Sequence, residues 1–206
     1  MKEFNLIIKR IIDFLGSLIG VVIISPILLI IALAIRFTSK GPVLFKQERL
    51  GLHGKTFKIL KFRTMIENAE NIGDGLTVKN ESDQRITNIG KILRKTSLDE
   101  LPQLFNVIKG EMSLVGPRPP VTYHPYDGYD NYPKWAKKRF EMKPGVTGLT
   151  QVTVRNSVEW DERIVVDNEY IDNFDIWFDI KLLFMTILRI FKSESIYLTG
   201  EEEGKV

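Results

Sequence analysis

An uncharged run near the start of the chain constrains the fold most. Residues 14–35 contain no Asp, Glu, Lys or Arg, and Ser25 and Pro26 lie near the middle of this run. A helix of this length would just span the roughly 30 Å hydrocarbon core of a bilayer. Proline lacks a backbone donor and clashes with the preceding turn, so we expect a kink or break at Pro26. The run therefore predicts a membrane segment that is interrupted near its centre.

Basic residues flank this run on both sides. They are Lys2, Lys9 and Arg10 before it, and Arg36, Lys40, Lys46 and Arg49 after it. Basic flanks favour the cytoplasmic side of a membrane, so a segment with two such flanks would enter and leave by the same face. We interpret residues 1–38 as a monotopic, re-entrant helix-break-helix. A single span, in which Ser25 satisfies the carbonyl that Pro26 frees, and a buried helix of a soluble protein are the alternatives.

The composition limits the function classes. The chain has 206 residues, which leaves one domain of about 150 residues after the membrane segment. Its net charge of +3 suits an anionic membrane surface or phosphate ligands. The aromatic-rich signatures of RNA-binding modules are missing, so no nucleic acid partner is expected. The chain has no Cys and only two His, which argues against a disulfide framework, a thiolate nucleophile and a His-rich metal site.

Hydrophobic patterns predict an α+β fold. Two short strands, residues 43–48 and 56–63, flank a Gly-containing turn and predict a β-hairpin. Helices are predicted over residues 86–95, from Ser97 to about Lys109, and over residues 160–174 and 179–193. The last helix has the profile of an interfacial amphipathic helix, although a core helix fits equally well. We expect residues 39–195 to form one domain with a small sheet and several helices, followed by an acidic tail over residues 196–206.

Two neighbouring carboxylates are the strongest candidates for chemistry. Ser97 and Glu100 match a capping box, which predicts that Asp99 and Glu100 lie at the start of a helix. Adjacent side chains point in different directions, so one carboxylate can attack a substrate while the other holds a metal. Mg²⁺ binds one or two carboxylates together with substrate phosphate oxygens, and carboxylates also act as nucleophiles. A purely capping role at the helix dipole is the alternative.

Several cations are placed to bind phosphate groups. Lys61 and Arg63 alternate around Phe62, so on a strand they would face the same side, about 7 Å apart. Arg94 lies just before the carboxylates, Arg118 lies between prolines, and Arg155 follows a glycine-bearing turn. Arginines displayed from turns suggest a phosphate clamp. A solvated surface cation is the alternative for each of them.

Six segments, in this order, resemble the bacterial sugar transferases, which are monotopic phosphoglycosyl transferases. The segments are the apolar run with Ser25 and Pro26, and residues 41–51, 61–65, 93–103, 112–119 and 143–152. The resemblance extends to about Phe184, and the length resembles that of the small members with the catalytic unit alone. It implies transfer of a phosphosugar from a UDP-sugar to polyprenyl (undecaprenyl) phosphate with release of UMP, as the first membrane step of a glycoconjugate pathway.

The resemblance also implies roles for individual residues. Asp99 would form a covalent aspartyl-phosphosugar intermediate, and Glu100, with Asp99, would hold Mg²⁺. The cations that match family positions near the phosphates are Lys61, Arg94, Arg118 and Arg155. Asp167 falls where the family carries further acidic residues. Relatives often have Asn-Gly where this chain has Thr153 and Val154, which changes the backbone just before Arg155.

The same resemblance implies a location and partners. It places the chain on the cytoplasmic face of the bacterial inner membrane, in contact with membrane lipid, and leaves a homodimer open. The Tyr123-to-Trp135 aromatic series would stack on uracil or sugar, lie at the membrane interface, or pack on the domain. A non-catalytic, membrane-anchored assembly protein of a polysaccharide complex is the main rival reading. An Asp-dependent phosphatase is disfavoured because the chain lacks an Asp-x-Asp-x-Thr pattern. No residue identifies the sugar.

Overall fold

Helices and two small sheets make up the fold, as the α+β prediction required. The computed structural model describes residues 2–69, 72, 83–154 and 157–192. In that part of the chain, seven α-helices accompany two two-stranded sheets. Arg155 and the predicted acidic tail over residues 196–206 lie outside the described residues.

The first helix, α1 (Lys2–Thr38), is continuous through Pro26, so the predicted break in the helix is not confirmed. Pro26 cannot donate to the carbonyl of Val22, one turn earlier. The hydroxyl of Ser25 donates to that carbonyl at 2.8 Å and replaces the missing N–H. The segment Phe4–Thr38 has a mean hydropathy of 3.1 in its most apolar window, and its length and composition suffice to cross a membrane.

Polar contacts attach the N-terminal half of α1 to the rest of the chain. The carboxylate of Asp13 accepts hydrogen bonds from the Ser113 hydroxyl at 2.8 Å and from the Leu114 N–H at 2.9 Å. Lys9 forms an ion pair with Asp179, and both side chains are buried. These charged groups lie in a largely apolar helix, so their pairing fixes where the helix can sit against its neighbours.

Apolar packing attaches the C-terminal half of α1 to the rest of the chain. Ile31 and Ile35 are buried in one cluster with Phe62 and Leu93. Both halves of α1 therefore contact the domain. The interval between the contacts at Gly20 and Ile31 corresponds to only about 16 Å of helix.

The predicted hairpin is confirmed. Strands β1 (Leu44–Leu50) and β2 (Thr56–Phe62) pair antiparallel, with Leu44 opposite Phe62 and Leu50 opposite Thr56. Cross-strand partners share a face of the sheet, so this register places Arg49 and Lys61 on the same face.

A second, parallel sheet is absent from the sequence-based prediction. It pairs β3 (Ser113–Val115) with β4 (Gly145–Thr147). Three-residue strands are too short to show an alternating pattern. A Cβ on Gly145 would lie 2.1 Å from the main-chain nitrogen of Gly116, so this close approach requires glycine. The sheet holds the segment that carries Arg118 against the start of β4.

The remaining helices include two short ones that the sequence-based prediction did not contain. In chain order, the remaining helices are α2 (Asn88–Thr96), α3 (Gln103–Lys109), α4 (Lys134–Lys137), α5 (Leu149–Thr153), α6 (Trp160–Asp172) and α7 (Ile176–Lys192). Of these, α4 and α5 are the two that were not predicted, α2 and α6 agree with the predicted segments within a few residues, and α7 begins three residues before the predicted start at residue 179.

The predicted single helix from Ser97 to Lys109, with its capping box, is wrong. Ser97 ends α2 in the left-handed conformation, with φ of 57°, and its side chain makes no capping hydrogen bond. A 3₁₀ turn, Leu98–Glu100, follows, and α3 begins only after Pro102. The left-handed residue ends the helix, so the two carboxylates lie on a turn between helices.

The aromatic series divides between the core and the surface. Tyr132 is buried and packs against Phe140 with ring centroids 4.9 Å apart, and Tyr126 and Tyr129 pack against the same cluster. Tyr123 and Trp135 are exposed. The packing interpretation therefore accounts for the middle of the series.

Candidate active site

The turn between α2 and α3 presents Asp99 and Glu100 to different neighbours. Asp99 interacts electrostatically with Lys61 and Arg94, whereas Glu100 interacts with Lys61 and Arg118. The two carboxylates therefore have partly different cationic neighbours, and they lie on a 3₁₀ turn and not at a helix start. Lys61 is the cation that both carboxylates share.

Glu100 is held in its ionised form. The Nζ atom of Lys61 lies 2.6 Å from Oε1 of Glu100. Burial opposes ionisation of this carboxyl, but the charges of Lys61 and Arg118 outweigh burial and lower the pKa of Glu100 to about 2. Glu100 is thus a permanent anion at neutral pH.

The pKa of Asp99 is shifted in the opposite direction. Burial, and then the negative charge of Glu100, raise the pKa of Asp99 to about 6, although Lys61 and Arg94 partly offset them. Opposite shifts in neighbouring carboxyl groups are typical of groups with different catalytic roles. Near neutral pH Asp99 is mainly ionised and more basic than an ordinary aspartate, which suits a nucleophile.

Arg94 is fixed in place by the chain that follows β2. Its Nε donates to the hydroxyl of Thr64 at 3.1 Å, and one of its terminal nitrogens contacts the sulfur of Met65 at 3.6 Å. These contacts hold the guanidinium near enough to Asp99 for the two groups to interact electrostatically.

Arg118 is positioned through its main chain. The carbonyl of Arg118 accepts a hydrogen bond from Nη2 of Arg139 at 2.6 Å, and its N–H donates to the carboxylate of Asp167. Asp167 also accepts from the Thr150 hydroxyl. Asp167, the further acidic candidate, is therefore a buried positioning residue: it holds the backbone that carries Arg118.

The structure does not bring Arg63 to the carboxylates. Its guanidinium is buried against Ser39 at the end of α1, and Nη2 lies 3.0 Å from the Ser39 carbonyl and 2.7 Å from the Ser39 hydroxyl. The predicted pairing of Arg63 with Lys61 fails because the strand ends at Phe62, so the alternation of side chains does not continue to Arg63. Ser25 and Pro26 lie within α1, away from the carboxylates.

A cleft opens beside Glu100. The residues that line it come from the hairpin, α3, the Arg118 segment and the start of β4: Arg49, Ile59, Lys61, Glu100, Gln103, Arg118, Pro119, Gly145, Val146 and Gln151. Sequence reasoning missed Arg49, Gln103 and Gln151. The register of the hairpin would have revealed Arg49, since it places Arg49 on the face of Lys61. A separate groove of about 390 Å³, lined by His53, Tyr129 and three lysines among others, contains none of the candidate catalytic residues.

The donor set is compatible with Mg²⁺ at the carboxylates. Among the described residues, no group of three or more His, Cys, Asp or Glu is placed to hold a metal ion. Mg²⁺ needs no such cage, because one or two carboxylates, waters and substrate phosphates complete its octahedron. Asp99 and Glu100 would supply the protein ligands.

The chain is similar over most of its length to known sugar transferases. The family model for bacterial sugar transferases matches residues 4–193. The chain is 43% identical over 196 residues to the galactosyl transferase CpsE of Streptococcus agalactiae serotype III (strain NEM316), covering 90% of this chain and 42% of that protein. It is 42% identical over 204 residues to a UDP-glucose:undecaprenyl-phosphate glucose-1-phosphate transferase of Klebsiella pneumoniae, covering 96% and 43%.

One relative has a similar length. The chain is 39% identical over 195 residues to an uncharacterized sugar transferase, EpsL, of Bacillus subtilis (strain 168), covering 95% of this chain and 93% of that protein. The chain thus spans less than half of the first two relatives and nearly all of the third. The match of the family model over almost the whole sequence means that this chain belongs to the bacterial sugar transferase family.

Proposed function

We propose that this chain transfers a sugar phosphate from a UDP-sugar to undecaprenyl phosphate or a similar polyprenyl phosphate, with release of UMP. The observation that carries the proposal is the pair of adjacent carboxyl groups with opposite pKa shifts, set among Lys61, Arg94 and Arg118. The name of the relative from Klebsiella pneumoniae, an undecaprenyl-phosphate glucose-1-phosphate transferase, supports the same reaction class.

In the first step, Asp99 is the nucleophile. One Oδ of its carboxylate forms a bond to the sugar-side β phosphorus of the UDP-sugar. The bond from that phosphorus to the bridging oxygen breaks, and UMP leaves with the electron pair. An acyl phosphate joins Asp99 to the phosphosugar. The raised pKa of Asp99 gives its carboxylate greater basicity than an ordinary aspartate has.

In the second step, an oxygen of polyprenyl phosphate attacks the same phosphorus. The bond between Oδ of Asp99 and phosphorus breaks, so the carboxylate is regenerated and the lipid carries a diphosphosugar. Atoms and charge balance without an oxidant, a reductant or a water molecule.

The cations would stabilise charge on the phosphates. Catalysis of phosphoryl transfer rests mainly on positioning and electrostatic stabilisation. Lys61, Arg94 and Arg118 all interact electrostatically with the carboxylates, and we assign Arg155 to the same group. Mg²⁺, held by Glu100 and Asp99 together with substrate oxygens, would neutralise further phosphate charge.

The contacts of α1 support attachment to one face of the membrane. A span requires about 20 residues of helix clear of the aqueous domain. Here Ser17 is fully buried and Ile31 packs against that domain, so only 13 residues lie between two buried points of the helix. Together with the basic flanks, this supports a helix that is held at the cytoplasmic face of the bacterial inner membrane, where UDP-sugars are available, and does not cross it.

The exposed face of α7 supports an interfacial position for this helix. Large apolar side chains recur along it at helical spacing and are exposed: Trp177, Ile180, Phe184, Ile187 and Leu188. A helix with such a face lies in the headgroup region of a bilayer. The acceptor lipid would then reach Asp99 without leaving the membrane.

The test is lipid-dependent release of UMP. The purified chain is incubated with Mg²⁺, undecaprenyl phosphate and a panel of UDP-sugars. At least one sugar should give UMP only when the lipid is present, and Asp99→Asn should abolish it. No lipid-dependent UMP with any sugar, or full activity of Asp99→Asn, would contradict the proposal. Free phosphate or free sugar phosphate would indicate a hydrolase instead.

Topology is tested separately by cysteine labelling. The chain has no native Cys, so single cysteines introduced at Lys2 and Lys40 report the two ends of α1. In spheroplasts both should resist a membrane-impermeant maleimide and react after lysis. Labelling of one end before lysis would indicate a single span.

A further inference from the structure

Arg49 reaches the cleft from strand β1. The chain immediately after it is tied to the Arg118 segment, because the N–H of Leu50 donates to the carbonyl of Pro120 at 3.0 Å. Arg49 itself bridges to Val121. These main-chain bonds place Arg49 and Arg118 side by side along one wall of the cleft.

The guanidinium of Arg49 is held but not neutralised. Nη1 donates to the carbonyl of Pro119 at 3.0 Å, and Nη2 donates to Oε1 of Gln47 at 2.6 Å. Both acceptors are uncharged. Nε is buried and has no hydrogen-bond partner. The side chain is therefore oriented by two neutral groups, and its buried Nε remains available as a donor.

The charge of Arg49 lacks a direct counterion. Burial, and then the positive charge of Arg118, lower the pKa of Arg49 to about 10. Within the described part of the chain, neither Arg49 nor Arg118 has a carboxylate oxygen within 4.0 Å, in contrast to Lys61, which pairs with Glu100. Two adjacent cations in a desolvated cleft repel each other, and a bound anion would relieve that repulsion.

The position of Arg49 relative to Asp99 indicates which phosphate it would bind. In-line displacement expels the leaving group on the side opposite the nucleophile. Arg49 and Arg118 line the cleft together with Glu100, whereas Asp99 and its neighbour Arg94 are not among the residues that line it. The leaving phosphate would therefore depart toward the two arginines.

An uncharged acceptor in the same cleft favours a nucleotide over the lipid. Oε1 of Gln151 is buried without a hydrogen-bond partner. A nucleotide has hydroxyl and N–H donors for such an oxygen, and a polyprenyl phosphate does not. The cleft thus offers donors for a phosphate and an acceptor for the ribose or base.

We infer that Arg49 is a further substrate-binding residue, which with Arg118 binds the phosphate of the departing UMP. This inference rests on the proposed function. It assigns the part of the cleft that Arg49 and Arg118 line to the nucleotide. The attacking carboxylate, Asp99, lies next to Arg94.

The test compares UMP with uridine, which lacks the phosphate. Binding of each to the full chain in lipid nanodiscs is measured by calorimetry. Arg49→Gln should weaken UMP binding about 10- to 100-fold, the range of a lost charge-assisted hydrogen bond, and leave uridine binding unchanged. Arg49→Lys keeps the charge but loses the planar fork, so it should recover only part of the affinity. Lys46→Gln removes an exposed cation from the other face of the same strand and should bind UMP like the parent chain.

Three results would overturn the inference. One is UMP affinity of Arg49→Gln within about twofold of the parent chain, which is smaller than any lost charge-assisted bond. Another is an equal loss of UMP and uridine affinity, which would indicate a structural role. The third is a raised KM for polyprenyl phosphate with unchanged UMP affinity, which would assign the site to the acceptor. If Arg49→Gln does not fold, the change in UMP affinity relative to uridine affinity is measured on Arg49→Lys, and the same outcomes apply.

Failure of the proposed function would give a different experimental result from failure of the Arg49 assignment. In that case the parent chain gives no lipid-dependent UMP. An active parent chain whose Arg49 variants bind UMP normally overturns only the role of Arg49.

Discussion

Nη2 of Arg139 lies 2.6 Å from Oδ2 of Asp167, and both side chains are 1% exposed. The same nitrogen donates to the carbonyl of Arg118. One buried ion pair thus holds the main chain that carries a phosphate-binding candidate. Its neighbour in sequence, Lys138, forms a much more exposed pair with Asp172.

Breaking the buried pair should be costly. Arg139→Met leaves the carboxylate of Asp167 without its counterion in the core and should lower the free energy of unfolding by about 3–5 kcal/mol. Lys138→Met is the matched control, and its cost should be about 0–1 kcal/mol. Thermal unfolding in detergent measures both. Similar unfolding midpoints for the two variants would show that the Arg139 pair does not stabilise the fold.

The acidic limb of the pH–rate profile should report Asp99. The carboxylate must be ionised to attack, so kcat/KM should fall as the pH drops through about 6, the pKa of Asp99. Glu100→Gln removes the negative charge that raises this pKa, so the limb of the residual activity should move to lower pH. Glu169→Gln, which changes an exposed carboxyl on α6, should leave the limb in place. A limb that does not move in Glu100→Gln would contradict the assignment.

Asp99→Asn should stabilise the folded chain while abolishing the activity. The folded pKa of Asp99 lies above its ordinary value of 3.8, so the folded state binds this proton more tightly than the unfolded state does. The parent chain therefore loses stability as the pH rises from about 4 through about 6, and the amide avoids that loss. The difference in unfolding temperature should be largest above pH 7 and vanish below pH 4. A difference independent of pH would indicate another cause.

Ser25 and Pro26 should show energetic coupling. Ser25→Ala removes the donor to the Val22 carbonyl and should cost about 1 kcal/mol in a bilayer, where no water replaces it. Pro26→Ala restores a main-chain N–H for the same carbonyl, so Ser25→Ala should cost less in that background. A double-mutant cycle on thermal stability in nanodiscs measures the difference. Equal costs in both backgrounds would mean that the hydroxyl does not replace the missing N–H.

Local patterns predicted the elements whose signals lie within a few neighbouring residues. The hairpin and helices α2 and α6 follow from alternation and helical spacing near their observed bounds. The carboxylates Asp99 and Glu100, with Lys61, Arg94 and Arg118, lie together as expected. The contact of Ser25 with the carbonyl freed by Pro26 matches the single-span alternative and not the predicted break.

Features that depend on distant partners could not be predicted. The contact of Arg63 with Ser39 depends on where α1 ends, and the role of Asp167 depends on Arg139, 28 positions earlier in the chain. The turn at Ser97 depends on the left-handed conformation of that single residue, and the capping-box pattern does not indicate it. Tertiary packing decided the first two cases, and a local backbone conformation decided the third.

The contacts of α1 have a practical consequence for anyone who wants a water-soluble fragment. Arg10 donates to the carbonyls of Val107 and Ile108 at the end of α3, and Asp13 satisfies two donors of β3. A fragment that begins at residue 39 would strip those groups of their partners and uncover the apolar surface around Phe62. Helix α1 is thus an integral part of the fold, and solubility has to come from detergent or lipid and not from trimming the chain.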